Sequence, residues 1–341
     1  MRVSIISFTE RGAELADRIA DSLYADGDEA ICSRGFGEDK VARTVWAEHE
    51  WNRSDALVFV GATGIAVRTV APLLVHKSKD PAVVVVDERG LHCISLLSGH
   101  IGGANELTLR IAQGIGSDPV ITTATDVNDI FSIDSWAVSQ GMLVKNPSKI
   151  KDFSSALLRG EDVKVWSEVE IDGEPPEHVV MIDVPDGADA MVSFQTWVPM
   201  EGAASLPLLL VPRVLVAGIG CRRGTSQEKL ELRLGETCER AGLDTHAIAE
   251  VATIDVKADE EGLIGLCKAY GVEMECFTAD ELNSQAGEFH SSEFVKKTVG
   301  TDNVCERAVA AAGGKLLVRR DAGEGVTMSI GILPRKLEWP H

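Results

Sequence analysis

Short apolar runs of strand length and longer stretches with apolar residues at helical spacing take turns along this chain. Residues 3–8, 56–60, 82–86 and 92–97 are runs of the first kind. Residues 13–23 are of the second kind, with Leu15, Ile19 and Leu23 spaced four apart on one face. Residues 41–51, carrying Val45 and Trp46, and residues 63–71 also read as helices, and Pro72 ends or kinks the latter. Ala82 followed by four valines is the composition of a strand covered on both faces. With weak strands at 30–32 and 120–123, the alternation predicts a parallel sheet with helices on both faces up to about residue 140. Ligands in such sheets bind at the carboxyl ends of strands.

After Gly141 the pattern changes. One short helix at 149–158 precedes alternating segments at 163–166, 178–182 and 191–194. Turn clusters separate them, Asp172-Gly173-Glu174-Pro175-Pro176 and residues 183–189. Residues 206–211, with Pro207 and Pro212, read as a connector. From Val214 the α/β pattern returns, with strands at 214–217, 247–252, 274–277, 316–318 and 326–330. Helices are expected at 226–241, 260–269, 293–299 and 303–311. The predicted fold is two α/β domains with mostly parallel sheets, residues 1–140 and 213–341, flanking a small β-rich middle domain, residues 141–212.

Composition narrows the function classes. A formal charge of −20 argues against non-specific nucleic-acid binding, and an anionic ligand would need locally basic pockets. No apolar run of about 18 residues exists, so no membrane span is expected. The start, MRVSIISFTERG, reads as a first strand rather than a signal peptide. Seven scattered cysteines without a CxxC favour reduced thiols in a cytoplasm over disulfides or a zinc site.

Three strand–glycine–helix junctions are the candidate chemistry. Ser98-Gly99-His100-Ile101-Gly102-Gly103 places a hydroxyl and an imidazole in a loop before a helix start, where unpaired N–H groups attract anions. His100 suits a general base near neutral pH, or simply caps the backbone. Ser98 is either a nucleophile or a turn residue, and no GxSxG elbow surrounds it. Gly61-Ala62-Thr63-Gly64, with Arg68 about a turn into the helix, is the second junction. Gly218-Ile219-Gly220-Cys221-Arg222-Arg223-Gly224 is the third. Its last glycine falls one residue late for a dinucleotide fingerprint, so anion binding by a helix start plus Arg222 and Arg223 is what remains. Cys221 there is a reactive thiol of lowered pKa or a small filler. Glu88, in the turn Asp87-Glu88-Arg89-Gly90, is an acid partner or an exposed turn carboxylate. No HExxH, Walker loop or Cys/His metal spacing is present.

The blocks VFVGATGIAVRTVAPLL, VVVVDERGLHCISLLSGHIGGANELTLRIA and ITTATD, and later VAGIGCRRGTSQEKLE and ATIDVKADEEGL, resemble the cobalt-precorrin-5A hydrolase (CbiG) family of anaerobic cobalamin biosynthesis. The resemblance covers nearly the whole chain, its middle segment fitting the family's variable central domain. It implies a hydrolase acting on a cobalt-bound, ring-contracted tetrapyrrole. Water opens a δ-lactone between the ring A acetate and C20, and the two-carbon unit leaves as acetaldehyde. It implies no cofactor and no protein metal site, because the cobalt arrives with the substrate. The expected catalytic residues are His100, Ser98 and Glu88. The expected substrate contacts are Gly61, Gly64, Arg68, Gly99, Gly102, Gly103, Asn105, Gly218, Gly220, Cys221, Arg222 and Arg223. Expected partners are the small-molecule tetrapyrrole, a second copy of the chain and, transiently, neighbouring pathway methyltransferases. The competing readings are a non-catalytic tetrapyrrole carrier and a nucleotide-dependent transferase using residues 218–224.

Overall fold

A computed structural model describes residues 1–76, 79–196 and 206–340. The chain divides into two units, Met1–Val138 with Ile150–Glu161, and Ser139–Lys149 with Asp162–His341. The fold is mixed α/β with mostly parallel sheets.

In the first unit β1 (Arg2–Ser7), β2 (Glu29–Arg34), β3 (Ala56–Val60), β4 (Ala82–Val86), β5 (His92–Leu97) and β6 (Asp118–Val120) form one sheet, ordered β2-β1-β3-β4-β5-β6. Every residue of β3 and β4 is buried, as their unbroken apolar runs require. On one face α1 (Glu10–Ala25) and α4 (Ala104–Ile115) pack Leu15, Ile19, Leu23, Leu107 and Ile111 onto Val3, Ile5, Val58 and Val84. Each such side chain contributes about 1.5–3 kcal/mol by leaving water. On the other face α2 (Arg43–Glu50) and α3 (Thr63–Val70) place Trp46, Ala66 and Val70 over Ile6, Phe59 and Val83. Thr9 caps α1 by accepting from Gly12 N, whereas α3 begins at Ala62 with no side-chain cap. Short α5 (Ala124–Val127) and α6 (Ile133–Ser139) follow β6, and α7 (Ile150–Leu158) joins the same unit.

One strand departs from the expected parallel pattern. β5 runs antiparallel to β4, with Val86 opposite Cys93 and Val83 opposite Leu97. The reason is length: residues 87–91 are far too few for a crossover, which takes a dozen or more. Asp87 ties this turn by accepting the N–H groups of Arg89, Leu91 and His92. Burial works against its charge, but those donors hold its carboxyl below the usual range.

In the second unit β7 (Leu143–Val144), β8 (Val163–Ser167), β10 (Val179–Met181), β11 (Ala190–Val192) and β12 (Leu208–Val211) form a sheet ordered β10-β8-β11-β12-β7. The segment expected as a connector is therefore strand β12, parallel to β11. Its apolar run Leu208-Leu209-Leu210-Val211 pairs with β11 on one side and β7 on the other, which overrides the flanking prolines. The remaining strands are β13 (Leu215–Cys221), β14 (Ile248–Ile254), β15 (Glu273–Phe277), β16 (Lys315–Gly323) and β17 (Val326–Ile332), ordered β15-β14-β13-β17-β16. Around them lie α8 (Gln227–Ala241), α9 (Glu261–Tyr270), α10 (Ala279–Ser284), α11 (Glu293–Val299) and α12 (Cys305–Ala311). The two sheets are tied within this unit: Lys145 Nζ lies 2.7 Å from Asp244, and β9 (Ile171–Asp172) pairs with β18 (Leu337–Glu338). Limited proteolysis is expected to cut first within residues 183–188, an exposed turn outside any strand. Mass spectrometry of the fragments checks this, and a first cut within β4 or β5 would contradict it.

Candidate active site

Because β5 is reversed, its carboxyl end and that of β6, parallel to it, leave the sheet at the amino edge of β1, β3 and β4. Residues 98–103 therefore sit near the start of β1, and a Cβ on Gly103 would lie 3.9 Å from Met1 Cε. His100 is held there from both sides. Its Nδ1 lies 3.1 Å from Asp134 Oδ2 and its Nε2 2.8 Å from Asp126 Oδ2. Asn105 donates to the same Asp126 oxygen at 3.2 Å and to Thr123 Oγ1 at 3.0 Å, and accepts from Ser95 Oγ at 2.6 Å. Ser132 Oγ donates to Asp134 Oδ1 at 2.7 Å. Burial by itself would lower the His100 pKa; the hydrogen bonds to Asp134 and Asp126 outweigh it and raise the pKa to about 9. Asp134 is buried, yet its bond to His100 holds it below the usual carboxylate range.

This geometry corrects the reading of His100 as a general base. At neutral pH the ring is an imidazolium with both N–H groups donated to carboxylates, so no lone pair remains to take a proton from water. Ser98 makes no hydrogen bond to His100, so no nucleophile–base pair forms. The loop's glycines have packing reasons as well. A Cβ on Gly102 would lie 2.3 Å from Ser98 Cβ, and one on Gly99 2.7 Å from Asn105 Oδ1. The N–H groups of Gly103, Ala104 and Asn105 are taken by carbonyls of the loop itself. The arrangement pins the β5–α4 loop to residues 123–134. It is a built polar clamp.

The carboxyl ends of β1, β3 and β4 lie at the opposite edge, about 17 Å away along β5 at ~3.4 Å per residue. Gly61, Gly64 and Glu88 are here, and the structure does not bring them together with His100 or Ser98. Between β1 and β3 the chain parts: α1 leaves for one face and α3 for the other. Such a divergence opens a crevice. Phe8 forms one wall, its ring 3.0 Å from where a Cβ on Gly61 would be and 2.8 Å from one on Gly35. Thr9 Oγ1 donates to Glu88 Oε1 at 2.7 Å. Ser7, 1% exposed, ends β1 on the α1 face, and its hydroxyl has no hydrogen-bond partner among the described residues. Arg68 is exposed in the last turn of α3, away from the helix start.

The third junction also differs from its sequence reading. Strand β13 continues through Cys221, paired with β17, so Gly218 and Gly220 are strand residues rather than loop. A Cβ on Gly218 would lie 2.0 Å from the Cys305 carbonyl oxygen, and one on Gly220 2.7 Å from Thr327 Oγ1. These glycines admit α12 and β17, so packing accounts for both. Burial pushes the Cys221 thiol pKa up, and Lys257 only offsets this, so Cys221 is not an activated thiol. Arg223 is paired with Asp259 at 3.1 Å. Arg222 is exposed, and its guanidinium makes no hydrogen bond among the described residues.

Sequence profiles of the family described as cobalamin synthesis G match this chain in three stretches: the N-terminal part at residues 45–126, the cobalamin biosynthesis central region at 131–195, and the C-terminus at 215–331. A cobalt-precorrin-5A hydrolase of Salmonella typhimurium is 36% identical over 341 residues, spanning 97% of each chain. The chain belongs to the CbiG family. A cobalt-precorrin-5A hydrolase of Priestia megaterium is 33% identical over 361 residues, covering 97% of this chain and 95% of its own. A crystal structure of a cobalamin biosynthesis protein G homologue from Sulfolobus solfataricus shares 23% identity over 97% of this chain and 96% of its own, with a TM-score of 0.43.

Within this CbiG chain several polar groups escaped sequence reasoning. Asp126 and Asp134 lie 26 and 34 residues beyond His100, with no local spacing to connect them. Lys257 and Glu260 form a buried pair at 2.9 Å beside Cys221, with Glu260 also accepting Gly224 N at 2.5 Å. Their three-residue spacing inside the ATIDVKADEEGL block was the available signal. Ser7 and Thr9 sat unremarked in the opening strand and its cap. Among the described residues no cluster of three or more His, Cys, Asp or Glu side chains could hold a metal, and no helix is long and apolar enough to cross a membrane. All seven cysteines are free thiols.

Proposed function

We propose that this protein is a cobalt-precorrin-5A hydrolase that opens the ring A δ-lactone and releases the C20 two-carbon unit as acetaldehyde. The observation that carries this reading is the near-full-length similarity to two hydrolases of that name, at 36% and 33% identity. Cobalt belongs to the substrate, and the chain's own residues bind and orient the macrocycle. Seven free thiols support a reducing compartment, the cytoplasm. The test is acetaldehyde release from cobalt-precorrin-5A by the purified protein, read by coupling to alcohol dehydrogenase and NADH oxidation. Substrate consumed without acetaldehyde would overturn the reading.

A polycarboxylate on a protein of charge −20 must be met by local cations and free N–H groups. Arg222 is exposed and its guanidinium makes no hydrogen bond among the described residues, whereas Arg223 is paired with Asp259. Arg222→Ala is therefore expected to raise the substrate dissociation constant by a few fold to tens of fold, about 1–2 kcal/mol. Arg223→Ala should change it less, and affinity should fall with added salt. Equilibrium titration checks all three, and unchanged affinity in Arg222→Ala would remove that side chain from the binding surface.

A further inference from the structure

We infer that a cavity at the β16 edge of the C-terminal sheet seats one carboxylate side chain of the substrate, with Arg320 as the cation that receives it. The inference rests on the hydrolase reading above, which makes the substrate a polycarboxylate.

Strand β16 is at the edge of its sheet, and a bulge interrupts it between Val318 and Asp321. In an unbroken strand, neighbouring side chains point to opposite faces, and a bulge re-aims one of them. Arg319 and Arg320 occupy this bulge. Both border a cavity of about 340 Å³, together with Glu288, Phe289, His290 and Glu306.

The cavity is built around a buried carboxylate whose oxygens are already taken. Glu306, 1% exposed, accepts the backbone N–H of Arg320 at 2.9 Å through Oε1. Through Oε2 it accepts the backbone N–H of His290 at 2.7 Å and Asn303 Nδ2 at 2.8 Å. That one side chain ties the strand, the loop and the start of α12 together. Arg307 fixes the Phe289 wall: its guanidinium carbon lies 4.7 Å from the ring centroid, and its Nη1 donates to Leu282 O at 3.2 Å. The walls are thus held in place by the protein's own bonds.

The groups left over are cationic. Arg320 is half-buried, and its guanidinium makes no hydrogen bond or ion pair among the described residues, although it carries five N–H donors. Arg319 donates from Nη1 to Glu288 O and lies 3.9 Å from Glu306 Oε1, which leaves its other nitrogen donors unused. A guanidinium's planar fork matches a carboxylate, and Phe289 gives the methylenes that carry the carboxylate an apolar wall. One charge opposes this ligand. The Glu288 carboxylate is exposed beside the cavity with no partner among the described residues, and it repels an anion.

Equilibrium titration of the full-length protein with cobalt-precorrin-5A, followed in the visible spectrum, tests the site. Arg320→Gln should raise the dissociation constant about 10- to 100-fold, the range of a charge-assisted hydrogen-bonded contact. It should leave the thermal midpoint unchanged, because Glu306 holds the backbone N–H of Arg320 and not its side chain. Glu288→Gln should tighten binding by a few fold, since the repelling charge is gone. Unchanged affinity in Arg320→Gln overturns the inference, as does unchanged or weaker binding in Glu288→Gln. Inorganic phosphate distinguishes a free anion from the substrate's own carboxylate. If phosphate raises the thermal midpoint of wild type but not of Arg320→Gln, while both bind substrate alike, the cavity takes a free anion and the inference falls. Affinity is read apart from acetaldehyde, so wild-type protein that binds the substrate and releases none overturns the hydrolase reading alone.

Discussion

Gly218→Ala is expected to lower stability by about 3 kcal/mol or more, the upper end of overpacking costs. The new methyl would lie 2.0 Å from the Cys305 carbonyl oxygen and 2.8 Å from Val309 Cγ2. Both belong to α12, which packs directly on β13 through Val216, Ala308 and Val309. The clash is with backbone, so no side-chain rotation relieves it, and either α12 lifts or the strand shifts. Gly235→Ala in α8 is the control. Nothing lies within 4 Å of its Cβ, and the helix should gain up to about 1 kcal/mol. Urea unfolding reads both as changes in midpoint at constant slope. A Gly218→Ala midpoint at or above wild type would mean that α12 does not rest on β13 as described.

His100→Ala is expected to cost about 3–5 kcal/mol, because it leaves Asp134 buried with its cationic partner gone. The Asp134 side chain is 7% exposed and that of His100 13%, whereas Asp126, at 33%, can turn to water. The same clamp predicts the pH dependence of stability. His100 titrates at about 9 in the folded protein against 6.5 in the unfolded chain. The folded state therefore binds the extra proton, and its stabilisation is fully present below about pH 6.5 and lost as pH rises through about 9. Asp134 acts in the opposite sense: its folded pKa is lowered, so its contribution is lost as pH falls through the acid range. After discounting for the solvent around Asp126, the alkaline loss should be on the order of 2 kcal/mol. Thermal midpoints between pH 6 and 10 should fall in wild type and stay flatter in His100→Gln. A wild-type midpoint that does not fall over that range would remove the ion clamp.

Most of the secondary structure was legible from periodicity, because burial imposes it. The valine run 82–86 had to be a strand covered on both sides, and Leu15, Ile19 and Leu23 had to face a sheet. The sense of β5 was legible too, although only through the length of the turn before it. That single reversal moved the SGHIGGAN loop to the edge of the sheet opposite GATG.

The glycines divide in a way that no string of letters conveys. Gly64 and Gly218 both follow apolar runs within a few residues, yet one faces open space and the other the backbone of a helix nearly ninety positions later. His100 read as a free imidazole because its aspartates lie in segments whose local patterns say nothing of it. The sequence by itself determined most of the elements, the two faces they bury and the family, since each depends on local spacing or on blocks of matching residues. Which polar groups meet, which glycines make room for packing and at which edge of the sheet each loop lies were decided by tertiary structure, because strand order and direction bring together groups that the chain keeps tens of residues apart.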